Sequence, residues 1–144
     1  MRDAKWNLLL VRKRGASAFM QPGGKIEICE LPVNAMVREL REELGVVIAG
    51  DAPTHIGRIT APVANEPGSM VEGELFELTQ PGEPVAMAEI EKMLWLIPDH
   101  AGDSELATLT RDAMMPRYRR SSEASDNEHC HRQISILPWH GRLI

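Results

Sequence analysis

Cysteine is nearly absent. Cys29 and Cys130 are the only two in 144 residues, and they form no CxxC pair. No disulfide framework is suggested, and a reduced, cytoplasmic setting fits. No apolar run reaches 18 residues, so the sequence offers no membrane span. The opening MRDAKWNLLLVRKRG has an apolar centre but no small-residue cleavage site, and it reads as a strand rather than a signal peptide. Positive charge is in deficit: 16 Lys and Arg stand against 21 Asp and Glu, for a net charge of −5. Such a chain does not attract duplex DNA or RNA by its bulk field, and any phosphate it handles needs a metal ion or a local basic patch. No internal repeat is visible. What remains is ordinary globular composition, 43% hydrophobic and 26% charged, enough for one domain with a sizeable core.

Along the chain, Trp6 to Arg12 (WNLLLVR) is a short apolar run of strand length. Lys13 to Ala16 make a basic turn, and Ala18 to Gln21 form a second short strand stopped by Pro22-Gly23-Gly24. Leu31 to Leu44 reads as a helix, with Pro32 in its first turn and Gly45 as its stop. Strands are expected over Val46 to Ile48, His55 to Thr60, Val71 to Leu78 (with Leu75 and Phe76 buried) and Lys92 to Ile97. Gln80 to Pro84 is a turn. A further helix is expected from Asp103 to Met115, capped by Asp103 or Ser104. Strands interleaved with helices argue an α/β or α+β fold. Residues 1–120 form the expected domain; 121–144 are a polar linker and an apolar tail, a late strand or a loosely attached segment.

The helix carries the chemistry. At about 100° per residue, Val33, Met36, Val37, Leu40 and Leu44 form a buried stripe, and Glu39, Glu42 and Glu43 fall on the neighbouring arc. Three close carboxylates suit a hard divalent cation such as Mg²⁺ or Mn²⁺, which takes oxygen ligands and often bridges to a phosphate. Glu30 is a fourth nearby carboxylate, and the Gly23-Gly24 loop lets backbone approach an ion closely. The alternative is a solvated acidic face with an Arg38–Glu42 pair.

The stretch GGKIEICELPVNAMVRELREELGV fills every defined position of G-x5-E-x7-R-E-U-x-E-E-x-G-U, with U bulky and aliphatic: Gly24, Glu30, Arg38, Glu39, Leu40, Glu42, Glu43, Gly45 and Val46. A chance match is on the order of 10⁻⁸ per starting point from average residue usage. The chain therefore resembles the MutT-like Nudix hydrolases, over about residues 3–117. That resemblance implies an α/β/α sandwich with a mixed β-sheet, a Mg²⁺ (or Mn²⁺) cofactor, and hydrolysis of a nucleoside diphosphate linked to another group. Carried over by position, Glu42 and Glu43 would be the principal metal ligands, with Glu39 and the Gly24 carbonyl close by and Glu30 in support. Arg38 would orient the acidic cluster. The water would be activated by Glu39 or by a later glutamate, Glu89 or Glu91.

Arg12, Lys13, Arg14 and Lys25 are candidate phosphate binders, or plain surface charges. Trp95 is core, or the wall of a base pocket. His129-Cys130-His131 has no partner at zinc-finger spacing. The substrate expected by default is a nucleoside triphosphate, oxidised ones included, cleaved to monophosphate and pyrophosphate. ADP-ribose or another nucleotide sugar is the alternative, cued by Pro62 one position from where it should stand. A silent Nudix-fold binding module is the alternative of another class. Where the family often has glycine before the first glutamate, this chain has Cys29. Only five residues precede the first strand, so the sheet is expected to have an open edge, covered by the tail at 134–139 or by a second copy of the chain in a homodimer.

Overall fold

A computed structural model describes residues 7–62, 68–78, 82–97, 105–118 and 135–139. Strand β1 is Leu8–Lys13, helix α1 is Pro32–Leu44, β2 is Thr54–Pro62, β3 is Met70–Glu77 and β4 is Ile90–Leu96. A helix α2 follows over 108–118, and β5 is Ser135–Trp139. β1 pairs antiparallel with β4, while β2, β3 and β5 form a second antiparallel sheet in that order. Among the described residues no helix is long and apolar enough to cross a membrane.

The apolar run LLLV of β1 is continuous because both faces of the strand are covered. Leu9 and Val11 pack with Met36, Leu40 and Leu44 of α1, whereas Leu8 and Leu10 pack with Met115 and Tyr118 of α2. All four are at most 1% exposed, and burying each such side chain contributes about 2 kcal/mol. β3 behaves alike: Phe76 faces the α1 cluster and Leu75 joins Ile59 and Met114 on the α2 side. Helices on both sides of strands buried on both faces give the α/β/α sandwich. Trp95 packs beside the α1 cluster as core.

α1 begins at Pro32, with Leu31 as a cap that makes no side-chain hydrogen bond. Gly45 ends it in the left-handed region at φ 65, its N–H bonding back to Arg41 O. Two expected elements are corrected. Val46 to Ile48 form no strand; Val46 and Ile48 are buried and Val47 is exposed, so the segment alternates without finding a partner strand. The late helix starts at 108, because Leu106 bridges to Phe19 and the backbone there is extended. The caps expected at Asp103 and Ser104 lie outside the described residues, as do His129, Cys130 and His131. The tail strand β5 covers an edge, that of β3 rather than β1.

Within α2, Thr110–Met114 are π-helical, and the Met115 N–H reaches Thr110 O five residues back. The wider turn buries both Thr110 and Met114, each 1% exposed.

Candidate active site

The Gly23-Gly24 turn passes α1 at two of its glutamates. Glu43 points inward and is 2% exposed. Its Oε2 accepts the Gly23 N–H at 3.0 Å. Its buried Oε1 accepts no well-aligned hydrogen bond, but the Lys13 ammonium lies 2.8 Å away as an ion pair. Lys13 also reaches Glu89 Oε1 at 2.5 Å. Burial pushes the Glu43 carboxyl above its ordinary range, and Lys13 and the Gly23 N–H only partly reverse that. Burial alone would lower Lys13; Glu43 and Glu89 together outweigh it and hold the ammonium above its usual value.

Glu39 is the second carboxylate at the turn. Its Oε1 accepts from Arg38 Nη1 at 2.7 Å. Gly24 lies so close that a Cβ there would overlap the Glu39 carboxylate. Glycine is needed at this position for room, since the backbone itself must touch the acid.

Arg38 ties the loop to the helix. Its fork grips Glu30 through Nε at 2.9 Å and Nη2 at 3.0 Å, and Nη2 also donates to Lys25 O at 2.9 Å. Glu30 Oε2 further accepts the Glu27 N–H at 2.9 Å. The Arg38 fork, then the Glu27 N–H, hold the Glu30 carboxyl below the usual range, and the pairing with Glu30 raises the guanidinium above its own.

Glu39, Glu42 and Glu43 leave α1 in different directions. Among the described residues no three His, Cys, Asp or Glu side chains form a group that could hold a metal ion. At about 100° per residue, Glu39 and Glu43 stand about 40° apart, while Glu42 lies about 60° to the other side of Glu39. Arg38 Nη1 draws Glu42 outward at 3.5 Å, leaving its side chain 57% exposed. Glu42 lines a separate cavity of about 530 Å³ with Arg41 and Met87.

A cavity of about 520 Å³ opens at the Gly23-Gly24 turn. Lys13, Lys25, Glu39 and Glu89 give it charged walls; Met20, Ala107 and Leu109 give it apolar ones. Gln21 and Thr110 complete the lining, with Thr110 Oγ1 donating to Gln21 Oε1 at 2.8 Å. The Gln21 Nε2 is buried without a partner among the described residues, an arrangement that costs about 1–3 kcal/mol when nothing fills it.

Of the residues singled out from the sequence, Gly24, Lys25, Glu39 and Glu89 meet at this cavity, and Lys13 holds Glu43 behind it. Arg12 does not: it pairs with Glu91 at 3.2 Å and lies over the Phe19 ring. Arg14 is exposed in the turn after β1, and Glu30 borders a smaller pocket beside Arg58. Gln21 and Thr110 were not foreseen, because their pairing spans 89 positions and no local pattern marks it.

Hard oxygen donors fit a divalent cation that takes one or two carboxylates and keeps several waters. Glu39 and Glu43 supply that set. The Lys13 ammonium beside the buried Glu43 oxygen shows a position where positive charge is already accommodated.

A family profile for the NUDIX domain matches residues 1–118. A 45-residue stretch is 47% identical to the 8-oxo-dGTP diphosphatase of Escherichia coli strain K12 and covers 28% of this chain and 35% of that protein. The chain thus spans about a third of that relative's length in the match. A crystal structure from Chromobacterium violaceum, assigned to the nudix hydrolase family, superposes with a TM-score of 0.48 at 25% identity, over 85% of this chain and 71% of the other.

Proposed function

We propose that this chain, which belongs to the NUDIX family, is a Mg²⁺-dependent pyrophosphohydrolase that cleaves nucleoside triphosphates, oxidised ones included, to monophosphate and pyrophosphate. The supporting observation is the convergence of Glu39 and Glu43 on the Gly23-Gly24 turn, beside a cavity of nucleotide size. The name of the 47% identical bacterial stretch supports the same substrate class.

When bound, the divalent ion neutralises the diphosphate and lowers the pKa of its water. Glu39 and Glu43 would hold it, joined by Glu42 once released from Arg38. Arg38 fixes the Glu39 carboxylate and, through Lys25 O, the loop that faces it. Lys13 and Lys25 bring positive charge to the cavity, where an acidic protein otherwise repels an anionic substrate. Glu39 and Glu89 both line the cavity and are the candidate proton acceptors; Glu91 is turned away on Arg12. Residues 1–120 carry this activity.

The test is a panel of nucleoside triphosphates, 8-oxo-dGTP and ADP-ribose, assayed for pyrophosphate or phosphate release with Mg²⁺ and with chelator. Pyrophosphate release from a triphosphate, abolished by chelation, is expected. Cleavage of ADP-ribose alone would move the assignment to nucleotide sugars, and a wholly inert panel would end it.

A further inference from the structure

We propose that Gln21 reads an exocyclic carbonyl oxygen on the substrate base, so that the cavity selects keto-bearing bases over their amino counterparts. This deepens the nucleotide-hydrolase reading above and rests on it.

Gln21 is 5% exposed and forms part of the cavity wall. Its amide oxygen is engaged by the Thr110 hydroxyl at 2.8 Å, and Thr110 is itself 1% exposed. The amide is placed with its oxygen on that hydroxyl and its NH₂ turned away from it. The NH₂ is left with two protons and no acceptor among the described residues. The neighbouring lining residues Met20, Ala107 and Leu109 offer apolar side chains, so none of these can satisfy it. Thr110 opens the π-helical stretch, a local departure from α geometry that recurs at functional sites.

A flat base entering this space brings the missing partner only if its facing edge carries an acceptor. The 6-oxo group of a purine or the 4-oxo group of a pyrimidine does so. The corresponding amino groups set donor against donor, and the amide oxygen that could accept them is turned toward Thr110 instead. Discrimination of this kind is strong because the penalty falls on a buried polar group left unpaired.

The experiment compares kcat/KM for ITP against ATP and for UTP against CTP, pairs that share sugar and phosphates. The wild-type protein is expected to favour the keto member by on the order of 10–100-fold. Gln21→Met keeps the length and removes the donor; it should bring both ratios near unity, by weakening the keto member while thermal melting confirms the fold. Gln21→Glu keeps the shape and exchanges donor for acceptor, and it should reverse the order. A wild-type ratio near unity, or a ratio unchanged in a folded Gln21 variant, would overturn this inference while leaving the hydrolase assignment standing. No hydrolysis of any of the four would overturn that assignment, and this inference with it.

Discussion

Glu42 and Glu43 are neighbours in the chain with the same functional group, yet they occupy different worlds. The Glu43 side chain is 2% exposed, bound to a backbone N–H and a lysine; the Glu42 side chain is 57% exposed beside Arg38. One helical step separates them, and that step decides whether a carboxylate is walled into the sandwich or left in solvent. Burial is also what lifts the Glu43 carboxyl above its usual range. The inner flank of α1 is therefore preorganised against its own folding preference. The outer flank is free to rearrange.

Paired substitutions test this contrast most severely. Glu43→Gln removes a charge whose surroundings are already built around it, and kcat should fall by about 10³-fold or more, several kcal/mol of transition-state stabilisation. The Gly23 N–H can still be accepted by the amide oxygen, so the melting temperature should move by only a few degrees. Glu42→Gln alters a side chain that must first leave Arg38. Its chief effect should be a rise of about 10-fold in the Mg²⁺ concentration giving half-maximal rate, with a smaller loss of kcat. Equal kcat losses in the two variants would erase the distinction between the flanks.

Gly24→Ala comes next. The added methyl overlaps the Glu39 carboxylate, which is the end of a side chain and can move aside. Turnover should drop by about 10²-fold through misplacement of the acid, with little change in melting. An intact rate would mean that Glu39 is not needed where it stands.

The smallest effect is expected at the loop ahead of the helix. Cys29 is exposed and sits at φ 64, a left-handed conformation that costs a non-glycine residue about 1 kcal/mol. Cys29→Gly relieves that strain and surrenders part of the gain to chain entropy. A net stabilisation of about 0.5 kcal/mol is expected, a rise of about 1–2 °C in melting temperature, with kcat unchanged. Loss of stability would show that the thiol side chain contributes packing there.

The helix α1 was legible almost to the residue, because its apolar spacing, Pro32 and Gly45 are local signals that all agree. So were the burial of Leu75 and Phe76 and the loop at Pro22-Gly23-Gly24. Val46 to Ile48 misled because apolar residues of strand type can be buried without pairing. Leu106 misled because its apolar side chain fits a helical stripe as well as it fits the bridge to Phe19. At the site, the spacing of the glutamates named the chemistry but not the orientations. Which acid turns inward depends on Lys13, a residue from a different element, and the Gln21–Thr110 pair joins segments that only the completed fold brings together.

The widened turn in α2 has one more implication. It acts like a spacer one residue long: at its first residue Thr110 meets Gln21, and downstream Met115 and Tyr118 pack toward β1. Deleting a single position inside the wide turn would close it to α geometry and leave Met115 and Tyr118 facing β1, whereas the same deletion in the regular part of α2 would swing the two halves about 100° out of phase. The wide turn is thus the one stretch of α2 where length can change without re-indexing the sandwich.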